Sequence, residues 1–198
     1  MRASFRPFQG LEIGLSRTAQ FGGKGRPQNL ETFGKLLVGQ DNNGDDGTNA
    51  ENEPGNQLAG YDIRYSFAGH GLPVAFYTQL IGEDEAGYLP SRLIGQFGLE
   101  GWVSGQQGTW RWNVEYSDTV VDFLGDSKKF NSAYENGIYQ SGYRYYGNSI
   151  GHSADNDARV TSLGVRYIKD SGDSVQVVVA GGTLNRDAPD AGSSAGQV

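Results

Sequence analysis

The sequence predicts an all-β protein, an antiparallel up-and-down transmembrane β-barrel. Three observations predict this fold. Apolar and polar residues alternate with a period of two through most of the chain, which is the pattern of half-buried β-strands. Short joins that contain glycine alternate with long polar connections. Glycine makes up 31 of the 198 residues and only 36% of residues are hydrophobic, so no apolar run approaches the ~20 residues of a membrane-spanning helix.

Eight strands are predicted, in four pairs that are each joined by a short turn. They cover residues 2–8 and 11–20, 57–67 and 73–82, 92–104 and 109–118, and 159–168 and 173–184. Glycine at each turn suits the tight hairpins that such joins require. The connections between pairs, at residues 21–56, 83–91 and 119–158, are long or strongly acidic. Outer-membrane barrels show this asymmetry, with short periplasmic turns and long extracellular loops.

Each predicted strand has one apolar and one polar face. We expect the apolar faces to contact lipid; they carry Tyr61, Ile63, Tyr65, Phe67, Leu93, Phe97, Leu99, Val103, Trp110, Trp112, Val114, Tyr116, Leu163, Val165, Tyr167, Val175, Val177 and Val179. We expect a network of paired charges in the lumen, made by Arg17, Asp62, Arg64, Glu100, Arg111, Glu115 and Arg166. A soluble β-sandwich shares the alternation, but strand length, loop asymmetry and the density of Tyr and Trp favour the barrel.

Charge and cysteine content exclude several classes of protein. The net charge is -7 and no basic stripe of the kind that binds phosphates is visible, so we predict no nucleic-acid partner. Cysteine is absent, which excludes disulfides, thiolate catalysis and cysteine-ligated metals. The first residues read as a strand and not as a signal peptide, so we expect the chain to be a mature protein or a fragment.

Several segments resemble the Wzi family of capsule assembly proteins. They are residues 5–7 (FRP), 11–18 (LEIGLSRT), 22–27 (GGKGRP), 41–44 (DNNG), 53–60 (EPGNQLAG) with Asp62 and Arg64, 82–87 (GEDEAG) and 89–92 (LPSR). The resemblance implies a barrel in the bacterial outer membrane, in contact with lipid. It also implies a protein that helps to attach capsular polysaccharide to the cell surface, by binding and not by catalysis.

The resemblance also implies a larger barrel than this chain can form. Barrels of that family are much longer, and the chain lacks the export signal and the helical periplasmic part that the family usually has. We therefore expect one domain over residues 1–198 that forms an arc of a larger barrel, an open curved sheet of about eight strands. We expect no ladder between its first and last strands, and a flexible tail without a partner at residues 191–196.

An acidic cluster of Glu83, Asp84 and Glu85, followed by Arg92, is the first candidate polysaccharide site. Adjacent carboxylates repel one another unless a base or a metal neutralises them. The cluster suits a rim that orients sugar hydroxyls, or a cation site. The alternative is a solvated loop neutralised by arginines, because charge clusters in loops are usually solvated.

A second candidate contains Asp41, Asn42 and Asn43. Its alternating oxygens resemble a calcium loop, but the sixth position is Asp46 where the motif needs Gly, and the twelfth is Asn52 where it needs Glu. The sequence therefore predicts a turn-rich loop that supplies polar groups to a sugar. We predict that the protein needs no metal and no cofactor.

A third candidate is an aromatic and amide-rich stretch that includes Tyr139, Tyr143 and Tyr145. Tyrosine rings stack on the C–H faces of sugars, and amides bond to their hydroxyls. The alternative is a girdle of aromatic residues at the membrane interface, because these tyrosines alternate as in a strand.

The two histidines do not predict an active site. His152 lies beside Ser153, Asp155 and Asp157, but nucleophilic catalysis needs such groups on rigid elements from different parts of a fold. We expect both His152 and His70 to be exposed to solvent. The sequence thus favours a non-catalytic surface barrel that binds polysaccharide; the alternative function is a porin or channel for small solutes.

Overall fold

The computed structural model describes residues 1–22, 29–38, 56–69, 72–86, 89–136, 139, 141–187 and 193–195, with the backbone alone at 36–38, 68–69, 83–86, 89–90 and 193–195. Its elements are β1 (Arg2–Phe8), β2 (Leu11–Gln20), α1 (Leu30–Val38), β3 (Asn56–Gly69), β4 (Leu72–Ala86), β5 (Leu89–Gly105), β6 (Gly108–Asp118), β7 (Arg144–Tyr145), β8 (Asn148–Ser149), β9 (Arg159–Lys169), β10 (Ser174–Thr183) and β11 (Ser193–Ala195). The candidates Asp41, Asn42, Asn43 and His70 lie outside the described residues.

One antiparallel sheet contains most of the described chain. Its strand order is β1-β2-β3-β4-β5-β6-β9-β10-β11, and its hairpins are β1–β2, β3–β4, β5–β6 and β9–β10. These hairpins are the four predicted pairs. Within the described ranges β1 pairs only with β2, so no ladder joins it to β10. The prediction of an open arc of sheet is confirmed.

The prediction of a tail without a partner at residues 191–196 is wrong. Residues 193–195 form β11, which pairs with residues 181–183 of β10. The far edge of β10 offers unpaired backbone N–H and C=O groups, and any extended segment can satisfy them without a side-chain pattern. The sequence pattern therefore gave no sign of this pairing.

The prediction of a connection over residues 83–91 is also wrong. β4 and β5 continue their ladder to Ala86↔Leu89, which makes them 15 and 17 residues long. A tilted strand crosses a bilayer with ~9–11 residues, so this hairpin is long enough to project well beyond one. Near its tip the ladder is interrupted at Arg92, whose φ is 53°.

The pairing register sorts the side chains into the two expected faces. One row aligns Ile63, Thr78, Phe97 and Tyr116, and the next aligns Asp62, Gln79, Gln96 and Ser117. We call the face with Asp62 the polar face and the face with Ile63 the apolar face. Trp110, Trp112 and Val114 belong to the apolar face, where the rings of Trp110 and Tyr167 lie 4.6 Å apart.

Arg17 is the exception among the predicted charges. It pairs with Ala59 and continues the row of Leu11, Ile13 and Leu15. Because side chains alternate along a strand, Arg17 lies on the apolar face and not in the polar network. Its assignment to the lumen charges is therefore wrong.

The segment from residue 119 to residue 158 folds back against the polar face. Val121, Ala133 and Tyr134 of this segment form a buried cluster with Leu58 and Ile94 of the sheet. The Gln20 side-chain amide donates to the carbonyl of Gly142 at 2.7 Å. We call this segment the inner connection; it contains the small β7–β8 hairpin and covers one end of the polar face.

The helix α1 was not predicted. Asn29 caps it by accepting the backbone N–H of Thr32 at 2.8 Å, and Lys35 pairs with Glu31 one turn away. In the part of the chain that the structure describes, no helix is long and apolar enough to cross a bilayer.

Replacement of Val114 by arginine should destabilise the complete barrel by about 2–4 kcal/mol if the site lies near the bilayer midplane. The reason is that Val114 is 42% exposed on the apolar face. Urea unfolding from lipid vesicles measures the change. The matched control is Ser162→Arg on the polar face, beside Glu115. An equal loss in both variants would contradict the assignment of the faces.

Candidate functional site

Polar side chains on the polar face bond across an intervening strand. Arg2 of β1 reaches Asp62 of β3, with Nη2 2.7 Å from Oδ1. Gly14 of β2 lies between them, and a Cβ there would stand 2.3 Å from the Asp62 carboxylate. Glycine therefore provides the gap through which the two charges meet.

The same arrangement recurs three strands further on. Tyr77 of β4 donates its hydroxyl to Glu115 of β6 at 2.9 Å. Its ring lies over Gly98 of β5, where a Cβ would be 2.0 Å from the ring. Arg64 of β3 pairs with Glu100 of β5. The predicted network thus contains Asp62, Arg64, Glu100 and Glu115, each with a partner.

A cavity of about 430 Å³ lies between the polar face and the inner connection. We call it the covered cavity. Gln79 and Gln96 face it from the sheet, and Tyr134, Tyr143 and His152 line it from the inner connection. The rings of Tyr134 and Tyr143 are stacked, with centroids 6.1 Å apart and planes at 22°. The half-buried ring of Tyr143 and two amides that have no hydrogen-bond partner among the described residues suit a sugar.

His152 differs from its prediction as an exposed residue. It is half-buried, and its backbone N–H donates to the hydroxyl of Tyr134 at 3.1 Å. Its Nδ1 accepts the backbone N–H of Ala154 at 3.1 Å. Burial lowers the pKa of His152, an effect that the charge of Glu115 partly opposes. Burial and this hydrogen bond both favour the neutral ring, because a proton on Nδ1 would remove the bond from Ala154.

Ion pairs hold the inner connection together. Arg144 lies 2.5 Å from Glu135 and 2.9 Å from Asp155. The hydrogen bond that Arg144 donates to Glu135 is the main reason that the pKa of Arg144 is raised. At the base of the connection, the buried carboxylate of Asp118 accepts from Arg159 and Arg186 at 3.0 and 2.8 Å. These ion pairs thus stabilise the inner connection internally and join it to the sheet.

The remaining candidates are dispersed. Tyr143 lines the covered cavity, Tyr139 is half-buried outside it, and Tyr145 is 68% exposed with its ring against Tyr146. The backbone at Glu83, Asp84 and Glu85 belongs to β4, near the tip of the β4–β5 hairpin, and Arg92 is exposed on β5. Tyr134 belongs to the aromatic and amide-rich stretch that was the third candidate. Gln79 and Gln96 were not among the candidates for a sugar site; only the alternation of β4 and β5 placed them on the polar face.

A second cavity, of about 330 Å³, lies on the polar face near the opposite ends of the strands. We call it the open cavity. Trp102, Arg111, Asn113, Arg166 and Gln176 line it from four neighbouring strands. Arg111 and Arg166, both predicted as lumen charges, are paired directly across β6 and β9.

Comparison with known proteins identifies the family. The model of the family described as "Capsule assembly protein Wzi" matches residues 1–196. The chain belongs to the Wzi capsule assembly family. As predicted, it is therefore an outer-membrane β-barrel chain of a capsule assembly protein.

Two relatives support this membership. Over 119 residues the chain is 47% identical to an uncharacterized 55.8 kDa protein in the cps region of Klebsiella pneumoniae, a match that covers 60% of this chain and 23% of that protein. The solved structure of Escherichia coli Wzi, an outer-membrane protein involved in group 1 capsule assembly and a carbohydrate-binding β-barrel, aligns with a TM-score of 0.77. That alignment has 32% identity and covers 94% of this chain and 37% of the solved chain.

Replacement of Gly98 by alanine should destabilise the complete barrel by about 1–3 kcal/mol. The new Cβ displaces the Tyr77 ring and leaves Glu115 without its donor. Denaturant unfolding measures the loss. Gly105→Ala is the control, because the nearest atom to its Cβ would be 3.8 Å away. If Gly98→Ala costs as much in a Tyr77→Phe background, the lost hydrogen bond is not the cause.

The inner connection should loosen on acidification. The pKa of His152 in the folded protein lies below its unfolded value of about 6.5. The neutral ring therefore contributes its full stability above about pH 6.5, and this contribution is lost as pH falls through the folded pKa. Hydrogen exchange across residues 134–152 of the complete protein, corrected for intrinsic rates, should show more opening at pH 5 than at pH 7.5. His152→Gln should abolish this change. Asp157, whose pKa is raised by burial, contributes more stability as pH falls. Because Asp157 is present in both the wild type and the His152→Gln variant, its contribution cancels in the comparison.

Proposed function

We propose that the complete protein binds capsular polysaccharide and retains it at the cell surface without catalysis. This chain supplies an arc of the barrel wall together with the inner connection. Membership of a capsule assembly family and the likeness to a carbohydrate-binding barrel support the proposal. Under this proposal the polar face lines the lumen, the apolar face contacts outer-membrane lipid, and the long connections lie at the outer surface.

The covered cavity is the observation that carries the proposal. It combines the half-buried ring of Tyr143, which stacks on the buried ring of Tyr134, with the amides of Gln79 and Gln96, whose side chains have no hydrogen-bond partner among the described residues. Pyranose rings present apolar C–H faces and polar hydroxyl edges, which these two kinds of group match. Glu83, Asp84, Glu85 and Arg92 near the hairpin tip, with Asp41, Asn42, Asn43, Tyr139 and Tyr145, are proposed as further contacts at the rim.

The inner connection argues against the second candidate, a porin. A porin needs a continuous hydrated path along the lumen. Here Leu58, Ile94 and Tyr134 are each at most 5% exposed and seal the connection onto the polar face. Single-channel recording of the complete protein in planar bilayers separates the two functions. The polysaccharide proposal expects no steady conductance, and large stable pores would favour the porin.

The non-catalytic part of the proposal rests on the groups around His152. Its Nδ1 is occupied by the Ala154 N–H, and the Asp155 carboxylate is paired with Arg144. The neighbouring Ser153 is exposed. A Ser–His–Asp relay needs the histidine to bond to both other members, and in the described region the His152 side chain bonds to neither Ser153 nor Asp155.

Gln96→Ala should weaken binding of capsular polysaccharide by the complete protein about three- to tenfold. One hydrogen bond contributes roughly 0.5–1.5 kcal/mol. Calorimetry measures binding to the detergent-solubilised protein. The polysaccharide is purified from an encapsulated strain that carries this protein. The control is Gln107→Ala in the turn after β5, an exposed glutamine at the other end of the strands. Equal effects of the two substitutions would exclude the covered cavity, and absence of binding by the wild type would refute the proposed function.

A further inference from the structure

The open cavity contains two arginines that form no ion pair with the described residues. Four carboxylates of this face have partners: Asp62 with Arg2, Glu12 with Arg6, Glu100 with Arg64, and Glu115 with the Tyr77 hydroxyl. By contrast, Arg111 and Arg166 form no ion pair in the described part of the chain. Arg166 donates to the hydroxyl of Ser174 at 3.0 Å, and Glu100, which also borders the cavity, is bound to Arg64.

The two arginines lie directly opposite each other in the ladder between β6 and β9. Paired Cα atoms in an antiparallel ladder are about 5 Å apart, and like charges at such positions destabilise a sheet. A carboxylate between the two guanidinium groups removes this repulsion. Guanidinium is the side chain best suited to the planar, two-oxygen geometry of a carboxylate.

The residues beside the arginines select a sugar and not a simple anion. Trp102 is in register with Arg111, and Gln176 is in register with Arg166. Trp102, Arg111, Arg166 and Gln176 therefore form a row across four strands, about 14 Å long at the usual strand spacing. Trp102 is 36% exposed, and its indole offers a flat face for a pyranose, while Gln176 and Asn113 offer amides for hydroxyls.

We propose that the open cavity binds an anionic saccharide, with the carboxylate of a sugar ring held between Arg111 and Arg166. The inference rests on the proposed function and adds the chemical class of the sugar and a second binding position. Arg111 lies three residues from the turn between β5 and β6, whereas the covered cavity is at the other end of the strands. The polysaccharide therefore contacts the polar face at both ends, and the end near the short turns recognises its acidic sugars.

Calorimetry on the complete protein in detergent tests this site with two probes: an oligogalacturonate, and the same oligosaccharide with its carboxylates reduced to alcohols. The wild type should bind the acidic probe about tenfold more tightly than the reduced one. Arg111→Gln and Arg166→Gln should each remove most of this preference, and Trp102→Ala should weaken both probes. Lys169→Gln, an equal change of charge at the exposed end of β9, should leave the preference intact.

Several results would overturn the inference. The first is equal affinity of the wild type for both probes. A preference for the acidic probe that survives in the Arg111→Gln/Arg166→Gln double variant would overturn it equally. The second is competition by inorganic phosphate as strong as that by monomeric galacturonate, which would indicate an anion site without sugar recognition. The third is a lower melting temperature of the double variant with unchanged binding, which would mean that a carboxylate of the protein occupies the arginines. Capsular polysaccharide that still binds in any of these cases would leave the proposed function standing.

Discussion

The bonding of polar side chains across every second strand is the constraint on which the polar face depends. Neighbouring strands of a sheet lie about 5 Å apart, so a side chain that bonds to a partner two strands away must span about 10 Å. Small residues in the strand between make this possible: Gly14 under Asp62, Gly98 under Tyr77, and the fully buried Ala75 opposite Glu100. Gly14 and Gly98 thus serve side-chain contacts and not turns.

The inner connection uses a different kind of stabilisation from the wall. The wall of the barrel relies on ladders and on polar bonds that cross a strand, whereas the connection has a small apolar core and a set of partly buried ion pairs. Asp118 joins the two systems, because it ends β6 and accepts from Arg159 of β9 and from Arg186 after β10. The covered cavity therefore has one rigid side, formed by the sheet, and one side held by a few named contacts.

The sequence predicted the strands well and the connections poorly. Alternation and glycine turns located all four hairpins, because a period of two together with a tight turn leaves few alternatives. The same rule, followed through to Arg17, would have placed that residue with Leu15 on the apolar face. His152 was mistaken for an exposed residue because its burial depends on Tyr134, which is 18 residues away, and on the sheet beneath. The α1 helix was missed because its pattern spans only nine residues, although Asn29 and the Glu31–Lys35 pair mark it.

The reach of these polar bonds has a consequence for how the wall assembles. Arg2–Asp62 joins the first hairpin to the second, and Arg64–Glu100 and Tyr77–Glu115 join the second to the third. Each hairpin is local in sequence, whereas these bonds join residues that are 36 to 60 positions apart. A tight turn costs less loop-closure entropy than a long connection, so each hairpin can form before the polar bonds that join it to its neighbour. The order of assembly thus follows from the lengths of the connections, and the polar bonds fix the position of a hairpin after it has formed.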